Sequence, residues 1–519
     1  MTHILMIAAE NGTLPGGKVG GIGDVVREVP VALAQRNCTV SVVTPAYGIF
    51  GELPGATELQ ILKVRFGGRI ESLKVYQLDG FGADMVRHYV LEHPLFSSCG
   101  KGRVYCDDPP SQPFETDAGK FALFCAAVAV AINKGLFGDL DVLHLHDWHA
   151  ALILILRRYD PSYRSLQALR CVYSIHNLAV QGVRPFAHAD SSLEKWYPDM
   201  VYERKQLADP RWPDCINPTA SAIRLADAVH TVSPSYAKEI LLPGSPDAGI
   251  HGGEGLDHDL RAASDEKRLF GILNGCDYSP NSAPAAADWP ALLQQMRRLI
   301  PLWASRNPTL ASTHFIAHQS LSQLTDQRPK MLLTSVGRVT DQKVGLMRQT
   351  TSSGVPALHA ALELLDDDGL LLMVGTGDPD YEQFLCETAA IYRNFIYLCG
   401  FSEALAQALY QQGDLFLMPS SFEPCGISQM LALREGQPCL VHRVGGLRDT
   451  VKHKRTGFVF SGKNPTERAD AMVAEVKRAV KQFDKKSRKW QTMRKAAAAA
   501  RFEWSDSIDA YIKLLYQKS

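Results

Sequence analysis

Residues 3–44 read HILMIAAENGTLPGGKVGGIGDVVREVPVALAQRNCTVSVVT. The run from His3 to Ala9 is apolar and stops at a glycine-rich loop. A helix-like stretch follows over 23–35, and TVSVVT at 39–44 reads as a second strand. Strand, loop, helix, strand is the βαβ order. Strands this continuously apolar belong to a parallel sheet with helices on both faces.

The same order recurs along the chain. VLHLH at 142–146 is followed by a helix candidate over 150–159 and a strand over 169–175. A second series begins after Arg328-Pro329, with strands at 331–336 (MLLTSV), 370–374 (LLLMV), 395–398 and 415–418 (LFLM). Between the two series, 280–327 reads as irregular, rich in Pro, Ser and Asn. The tail over 496–516 reads as helix interrupted near Trp504. At ~150 residues per domain the length of 519 allows two to four domains. The pattern gives two large doubly wound α/β domains.

Composition removes several function classes. Lys+Arg and Asp+Glu each total 55, so the formal net charge is zero. No general field exists to collect nucleic acid or an anionic membrane, while a local basic pocket remains open. FALFCAAVAVAI at 121–132 has the length of a buried core helix and falls short of the ~20 residues of a membrane span. MTHILMIAAENG lacks the basic start and the apolar length of a signal peptide. Eleven cysteines with no CxxC pair are expected to be reduced thiols of a cytoplasmic protein. The basic stretch over 477–489 is expected to be a solvated helix face.

Five segments carry chemistry. The loop from Gly12 to Asp24 sets Lys18 among glycines, which let backbone approach a ligand and offer N–H groups to an anion at a helix start. It fits GxxxxGK, but Val19 stands where a P-loop needs Ser or Thr, and GxGxxG is absent. His144-Leu-His-Asp-Trp-His149 ends a strand, and its order differs from that of binuclear metal hydrolases. A polar sugar site is the better reading, because the carboxyl ends of parallel strands face the ligand crevice. His176-Asn177 ends the next strand and points at the same crevice. In the second half, Arg338 and Lys343 lie five residues apart after a strand, placed to stabilise charge on a departing diphosphate. Glu423-Pro-Cys-Gly-Ile-Ser428 joins a strand to a helix, whose start would present N–H groups to the same diphosphate. The DxD-like pairs Asp139/Asp141 and Asp378/Asp380 are too short to argue for a metal.

Taken together, Lys18–Asp24, His146–Ala150, Ser174–Asn177, Thr231–Ala237, Gly271–Gly275, Arg338 with Lys343, Phe422–Gly426 and Gly445–Thr450 resemble the bacterial glycogen synthase and plant starch synthase family. The resemblance is collinear from about residue 3 to 516. It implies a GT-B fold: two Rossmann-like doubly wound domains facing across a cleft, 1–258 on the acceptor side and 259–497 binding the nucleotide sugar. A C-terminal helix over 498–519 would return to the first domain. It also implies transfer of glucose from ADP-glucose to the non-reducing end of an α-1,4-glucan (glycogen or a maltooligosaccharide), with retention of configuration. Neither metal nor cofactor is expected.

Residue by residue, Lys18 resembles the family's nucleotide-sugar lysine, with Gly20 and Gly21 beside it on the diphosphate. Asp24, His176 and Asn177 are similar to groups around the glucosyl unit, and Asp147 to one on the acceptor side. Glu423 matches the essential glutamate, flanked by Cys425 and Gly426, and Ile427 with Ser428 would meet the phosphates. Gly400-Phe401 resembles the adenine-stacking position. Departures from the family pattern fall at Val19, at Ala220-Ser-Ala222, at Ser279-Pro-Asn281 and over 301–323. Two other readings remain: a retaining glycosyltransferase with another sugar nucleotide or acceptor, and a non-catalytic glucan-binding relative.

Overall fold

A computed structural model describes residues 2–245, 247–278, 288–306, 311–366, 369–483 and 487–517. The chain divides into two compact units: 1–244 with 252–274 and 504–519, and 245–251 with 275–503. The departure at Ser279-Pro-Asn281 and the basic residues Lys485 and Lys486 lie outside the described residues.

The first unit is built on nine strands: β1 (His3–Ile7), β2 (Thr39–Pro45), β3 (Ala56–Phe66), β4 (Arg69–Leu78), β5 (Val86–Glu92), β6 (Val142–His146), β7 (Arg170–Ile175), and, after a separate two-stranded antiparallel sheet of β8 (Arg184–Pro185) and β9 (Cys215–Ile216), β10 (Ala228–Thr231) and β11 (Leu269–Gly271). Their order is β11-β10-β7-β6-β1-β2-β5-β4-β3. The central strands pair in parallel, as their unbroken apolar runs require. The edge departs from a purely parallel sheet, because β3, β4 and β5 pair antiparallel. Only one face of this edge is covered. Leu62, Val64, Leu73 and Val75 are buried while their neighbours along the strands face water, so the strands alternate instead of running apolar.

Three helices pack on this sheet nearest the loops of interest: α1 (Gly21–Ala34), α2 (Glu115–Asn133) and α3 (Trp148–Tyr159). The run FALFCAAVAVAI lies in α2 and is buried over most of its length. On the opposite face Val25, Val26, Val29 and Leu33 of α1 pack with Ile508, Tyr511 and Leu515 from the end of the chain. That tail is helical from Trp504 to Ala510, continues with wider turns to Tyr516, and follows a break after Ala499.

The second unit has six parallel strands, β12 (Met331–Val336), β13 (Gly369–Gly375), β14 (Phe395–Cys399), β15 (Leu415–Met418), β16 (Cys439–His442) and β17 (Gly457–Phe460). Their order, β14-β13-β12-β15-β16-β17, is the Rossmann arrangement. Separate apolar clusters cover its two faces.

Three further expectations are corrected. Residues 280–327 are not irregular throughout: helices run over Trp289–Ala304 and Ser312–Gln323, the first burying Leu292, Leu293, Met296 and Ile300 at helical spacing. The unit boundaries fall at 274/275 and 503/504 rather than 258/259 and 497/498. The reason is that β11 extends the first sheet beside β10, while Phe502 accepts the Cys276 N–H within the second unit. The short stretch 245–251 joins the second unit, where Arg468 donates to the carbonyls of Ala248 and Gly249. Finally, not every thiol is reduced. Cys99 and Cys106 form a disulfide across a loop turned by Gly100 and Gly102, both at positive φ, with Cα atoms 5.6 Å apart. The other nine cysteines are not in disulfides. Among the described residues no helix is long and apolar enough to cross a membrane.

Two stability effects follow. Leu515 is fully buried, so Leu515→Ala should cost about 2–5 kcal/mol in chemical denaturation; a loss below about 0.5 kcal/mol, the scale of a surface change, would show the tail not to be packed. His149 is enclosed by the rings of Tyr105, Phe121 and Trp148. Burial, helped by the nearby Lys120 charge, pushes its pKa down to about 3. Below the ordinary histidine value the unfolded chain therefore binds a proton that the folded chain refuses, and stability falls as pH drops from 6.5 toward 3. In His149→Phe the pH dependence of unfolding free energy should be shallower by about 1.4 kcal/mol per pH unit in that window. An unchanged slope would mean that His149 titrates normally.

Candidate functional site

In both sheets most of the residues of interest sit at or near the point where strand order reverses. In the first unit that point lies at β1, flanked by β2 and β6. In the second it lies between β12 and β15. Crossovers leave in opposite directions there, and the strand ends open into a crevice. Each unit is described by itself.

After β1 the chain turns sharply between Asn11 and Gly23. The Asn11 N–H donates to the Gly17 carbonyl (2.8 Å) and the Gly12 N–H to the Gly23 carbonyl (3.1 Å). A Cβ at Gly12 would lie 2.4 Å from the Gly23 carbonyl oxygen, so only glycine allows this approach. Lys18 projects from the loop half-exposed, and its Nζ pairs with Asp24 Oδ1 at 2.7 Å. Asp24 also holds Arg27 at 2.9 Å, so its carboxylate is shared between two cations. Three of the loop's backbone donors are turned inward. The N–H groups of Val19, Gly20 and Gly23 all donate to Glu10 Oε2, at 2.8, 2.7 and 3.2 Å. Gly21 is exposed at the start of α1. Sequence reasoning missed Glu10, a single acid after an apolar strand that carries no motif.

At the end of β6, Asp147 is buried with φ 53°. Burial pushes its carboxyl up to about 7, against the opposing pull of the His176 and Asn177 N–H groups. The His176 N–H donates to Asp147 Oδ1 at 2.7 Å. Asp147 thus clamps the His176-Asn177 turn from the neighbouring strand, and the Asn177 Oδ1 in turn accepts the Ala179 N–H. His176 Nε2 and His146 Nδ1 share a hydrogen bond of 3.0 Å. Burial lowers the His176 pKa to about 4. Behind this pair, His144 shares hydrogen bonds with Tyr516 and Ser174, and Ser174 with His230. The histidines read from the sequence as a sugar site are therefore mostly internal support, with His176 the most forward of them. Among the described residues no group of three or more His, Cys, Asp or Glu side chains is arranged to hold a metal ion.

In the second unit Arg338 stands exposed after β12. Lys343, in the helix Asp341–Arg348, pairs with Glu423. Glu423 is only 5% exposed and also accepts from the Ser420 hydroxyl at 3.0 Å. The loop carrying it is fixed from three sides. Gln342 Nε2 donates to the Phe422 carbonyl, and the Gly446 N–H donates to the Glu423 carbonyl. Gln429 Nε2 donates to the carbonyls of Cys425 and Gly426. Cys425 is buried, Gly426 takes φ 76°, and Ile427 and Ser428 begin the short helix Ser428–Arg434 half-buried. Gly445 and Gly446 pack so closely on Glu423 and Cys425 that a Cβ on Gly445 would fall 1.9 Å from the Glu423 carbonyl oxygen. Phe401 is 61% exposed after β14, next to Gly400, which packs on Trp303. Structure therefore brings Lys343, Glu423, Cys425, Gly426, Ile427 and Ser428 together and leaves Phe401 apart, on the loop after β14.

The remaining sequence signals have structural duties. Asp141 accepts the His3 N–H, and Asp378 caps the helix Pro379–Ile391. Lys477, Arg478, Lys481, Arg488 and Lys489 are exposed, as a solvated face should be. Ala220-Ser-Ala222 is buried in the helix Pro218–Leu225, where the Ser221 hydroxyl donates to the Asn217 carbonyl.

The chain is similar to known proteins over nearly all its length. The family model for the starch synthase catalytic domain matches residues 3–262, and that for group 1 glycosyl transferases matches 343–477. Glycogen synthases from Streptococcus equi subsp. equi and Anaeromyxobacter sp. are 31% and 33% identical, each alignment covering 98% of both chains. Among solved structures, the catalytic domain of starch synthase IV from Arabidopsis thaliana, bound to ADP and acarbose, is similar at a TM-score of 0.75 and 25% identity. That likeness covers 99% of this chain and 98% of the other. A sucrose-phosphate synthase from Thermosynechococcus elongatus shares the fold at a TM-score of 0.55 and 17% identity, covering 99% of this chain and 98% of that one. With the two Rossmann-like units of a GT-B enzyme and these relatives along its whole length, the chain belongs to the glycogen and starch synthase family of glycosyltransferases.

Proposed function

We propose that the donor is ADP-glucose, that the acceptor is the non-reducing end of an α-1,4-glucan, and that the glucosyl group is transferred with retention. The observation that carries this reading is the group formed at the reversal point of the second sheet: exposed Arg338, and Lys343 paired with a nearly buried Glu423. The Arabidopsis relative bound to ADP and acarbose, a nucleoside diphosphate and an oligosaccharide-like ligand, supports the choice of substrates.

In this reading the bond from the anomeric carbon to the diphosphate oxygen breaks, and its electron pair leaves with ADP. Arg338 and Lys343 meet the charge that develops on the departing phosphate, a role that needs no metal ion. Before the donor binds, the Lys343 charge is balanced by Glu423. The arriving diphosphate competes for that lysine, and the freed carboxylate can then face positive character at the anomeric carbon. His176 is neutral above about pH 4 and keeps its Nδ1 for a glucosyl hydroxyl. Asp147 sets the pitch of the His176-Asn177 turn and lies near the acceptor, and Lys18 reaches the donor phosphate from the glycine loop. The acceptor 4-hydroxyl adds on the face that ADP leaves and gives its proton to the departing phosphate.

Arg338→Ala and Lys343→Ala should each lower kcat, on the order of 10²-fold, as loss of a preorganised charge-stabilising donor does. Wild-type kcat in both variants would remove the clamp from the mechanism. ADP release, measured over ADP-glucose and UDP-glucose with glycogen and maltooligosaccharides as acceptors, should be fastest with ADP-glucose. Turnover confined to another sugar nucleotide would overturn the donor assignment. Glucan binding with no turnover on any donor would favour the non-catalytic reading.

A further inference from the structure

A glycine-rich loop leading into a helix normally offers its backbone N–H groups to a bound phosphate, because the helix start is electropositive and its first donors lack partners. In this chain three of the loop's N–H groups are already bonded. Glu10 leaves the end of β1 almost fully buried, 2% exposed, and its Oε2 accepts from Val19, Gly20 and Gly23. Gly20 is the residue that caps α1 and has no side chain to do so, so the carboxylate caps the helix in its place. The other oxygen, Oε1, accepts the Tyr105 hydroxyl at 2.8 Å. Four donors thus converge on one carboxylate, and charge-assisted bonds of this length are the strong kind.

Two of the bonded N–H groups belong to the residues immediately after Lys18. Packing tightens the arrangement: a Cβ added at Gly23 would lie 3.0 Å from Lys18 Cβ and 3.1 Å from Glu10 Oε2. The backbone at the root of Lys18 is therefore held by Glu10, while its ammonium is held by Asp24. We propose that Glu10 is the positioning residue for Lys18. Its carboxylate binds three backbone donors around the start of α1, fixes the loop before any donor arrives, and leaves the Lys18 side chain to reach the donor's phosphate. This inference rests on Lys18 being a donor contact, as read above.

The test is a cycle of Glu10→Ala, Lys18→Ala and the double variant, assayed as kcat/KM for ADP-glucose with and without sodium formate. Glu10→Ala should lose on the order of 10²-fold, the scale of a displacement of roughly 1 Å in a reacting group. Formate should enter the vacated position and restore about tenfold of that loss, since it supplies the missing charge-assisted acceptor. The double variant should be no slower than Lys18→Ala, because the two residues act through one contact. Wild-type kcat/KM in Glu10→Ala, a loss that formate leaves untouched in the folded variant, or losses that multiply in the double variant would each overturn the proposal. If the alanine variant does not fold, a second pair carries the test. Glu10→Gln keeps an oxygen in place and should stay within about tenfold of wild type, while Glu10→Asp retracts it and should fall by on the order of 10²-fold; the reverse order overturns the proposal. Wild-type kcat/KM in Lys18→Ala would instead remove Lys18 from the donor site, and formate recovery in Glu10→Ala reads out the Glu10 contacts independently of that result.

Discussion

Parallel strands all point their carboxyl ends the same way, and each unit of this chain reverses its strand order once, beside its first strand. At β1 and at β12 the following crossovers diverge, so the loops that leave the strand ends are not covered by the next helix. Most of the candidate residues sit on loops that leave the strand ends at or near these points. Lys18 follows β1, Asp147 follows β6 and His176 follows β7. Arg338 follows β12 and Glu423 follows β15. The sheet decides where reactive groups can stand, and the loops decide which groups they are.

Charge at these loops is balanced before a substrate arrives. Lys18 is paired with Asp24, and Lys343 with Glu423, each within its own unit. An unpaired lysine and an unpaired carboxylate in a half-buried setting would each carry a desolvation cost, which pairing offsets. Arg338, exposed and well hydrated, bears no such cost. In the proposed function, a diphosphate would meet the exposed Arg338 and take Lys343 from its internal carboxylate, Glu423.

Much of this was legible in the sequence, for identifiable reasons. The central strands were found because burial on both faces forces unbroken apolar runs, and β15, for one, occupies the residues expected of it. The edge formed by β3, β4 and β5 was missed because half of each strand faces water, which dilutes the apolar signal into charged neighbours such as Glu58, Lys63 and Arg65. The helices over 289–304 and 312–323 were hidden by Pro290, Pro301 and the surrounding polar residues, although the apolar spacing from Leu292 to Ile300 is helical. Candidate residues in motifs were located individually. What their sequence could not show is who bonds to whom. The glycine loop looked like a phosphate cradle because its N–H groups were counted without an acceptor, and that acceptor, Glu10, lies only eight positions before Lys18 with no pattern to mark it. The disulfide was invisible for the same reason: pairing of Cys99 with Cys106 depends on the turn between them, not on a recognised spacing.

The end of the chain has a further effect. Residues 504–517 fill a face of the first unit, with Leu515 fully buried and Tyr516 bonded to His144 beneath the His176 pair. The second unit is therefore, in sequence, an insertion between the body of the first and its last helix. During synthesis, residues 275–503 can collapse on their own as soon as they emerge, whereas the first unit waits with α1 and the back of its histidine network uncovered. The half of the molecule that is made first is the half that is finished last.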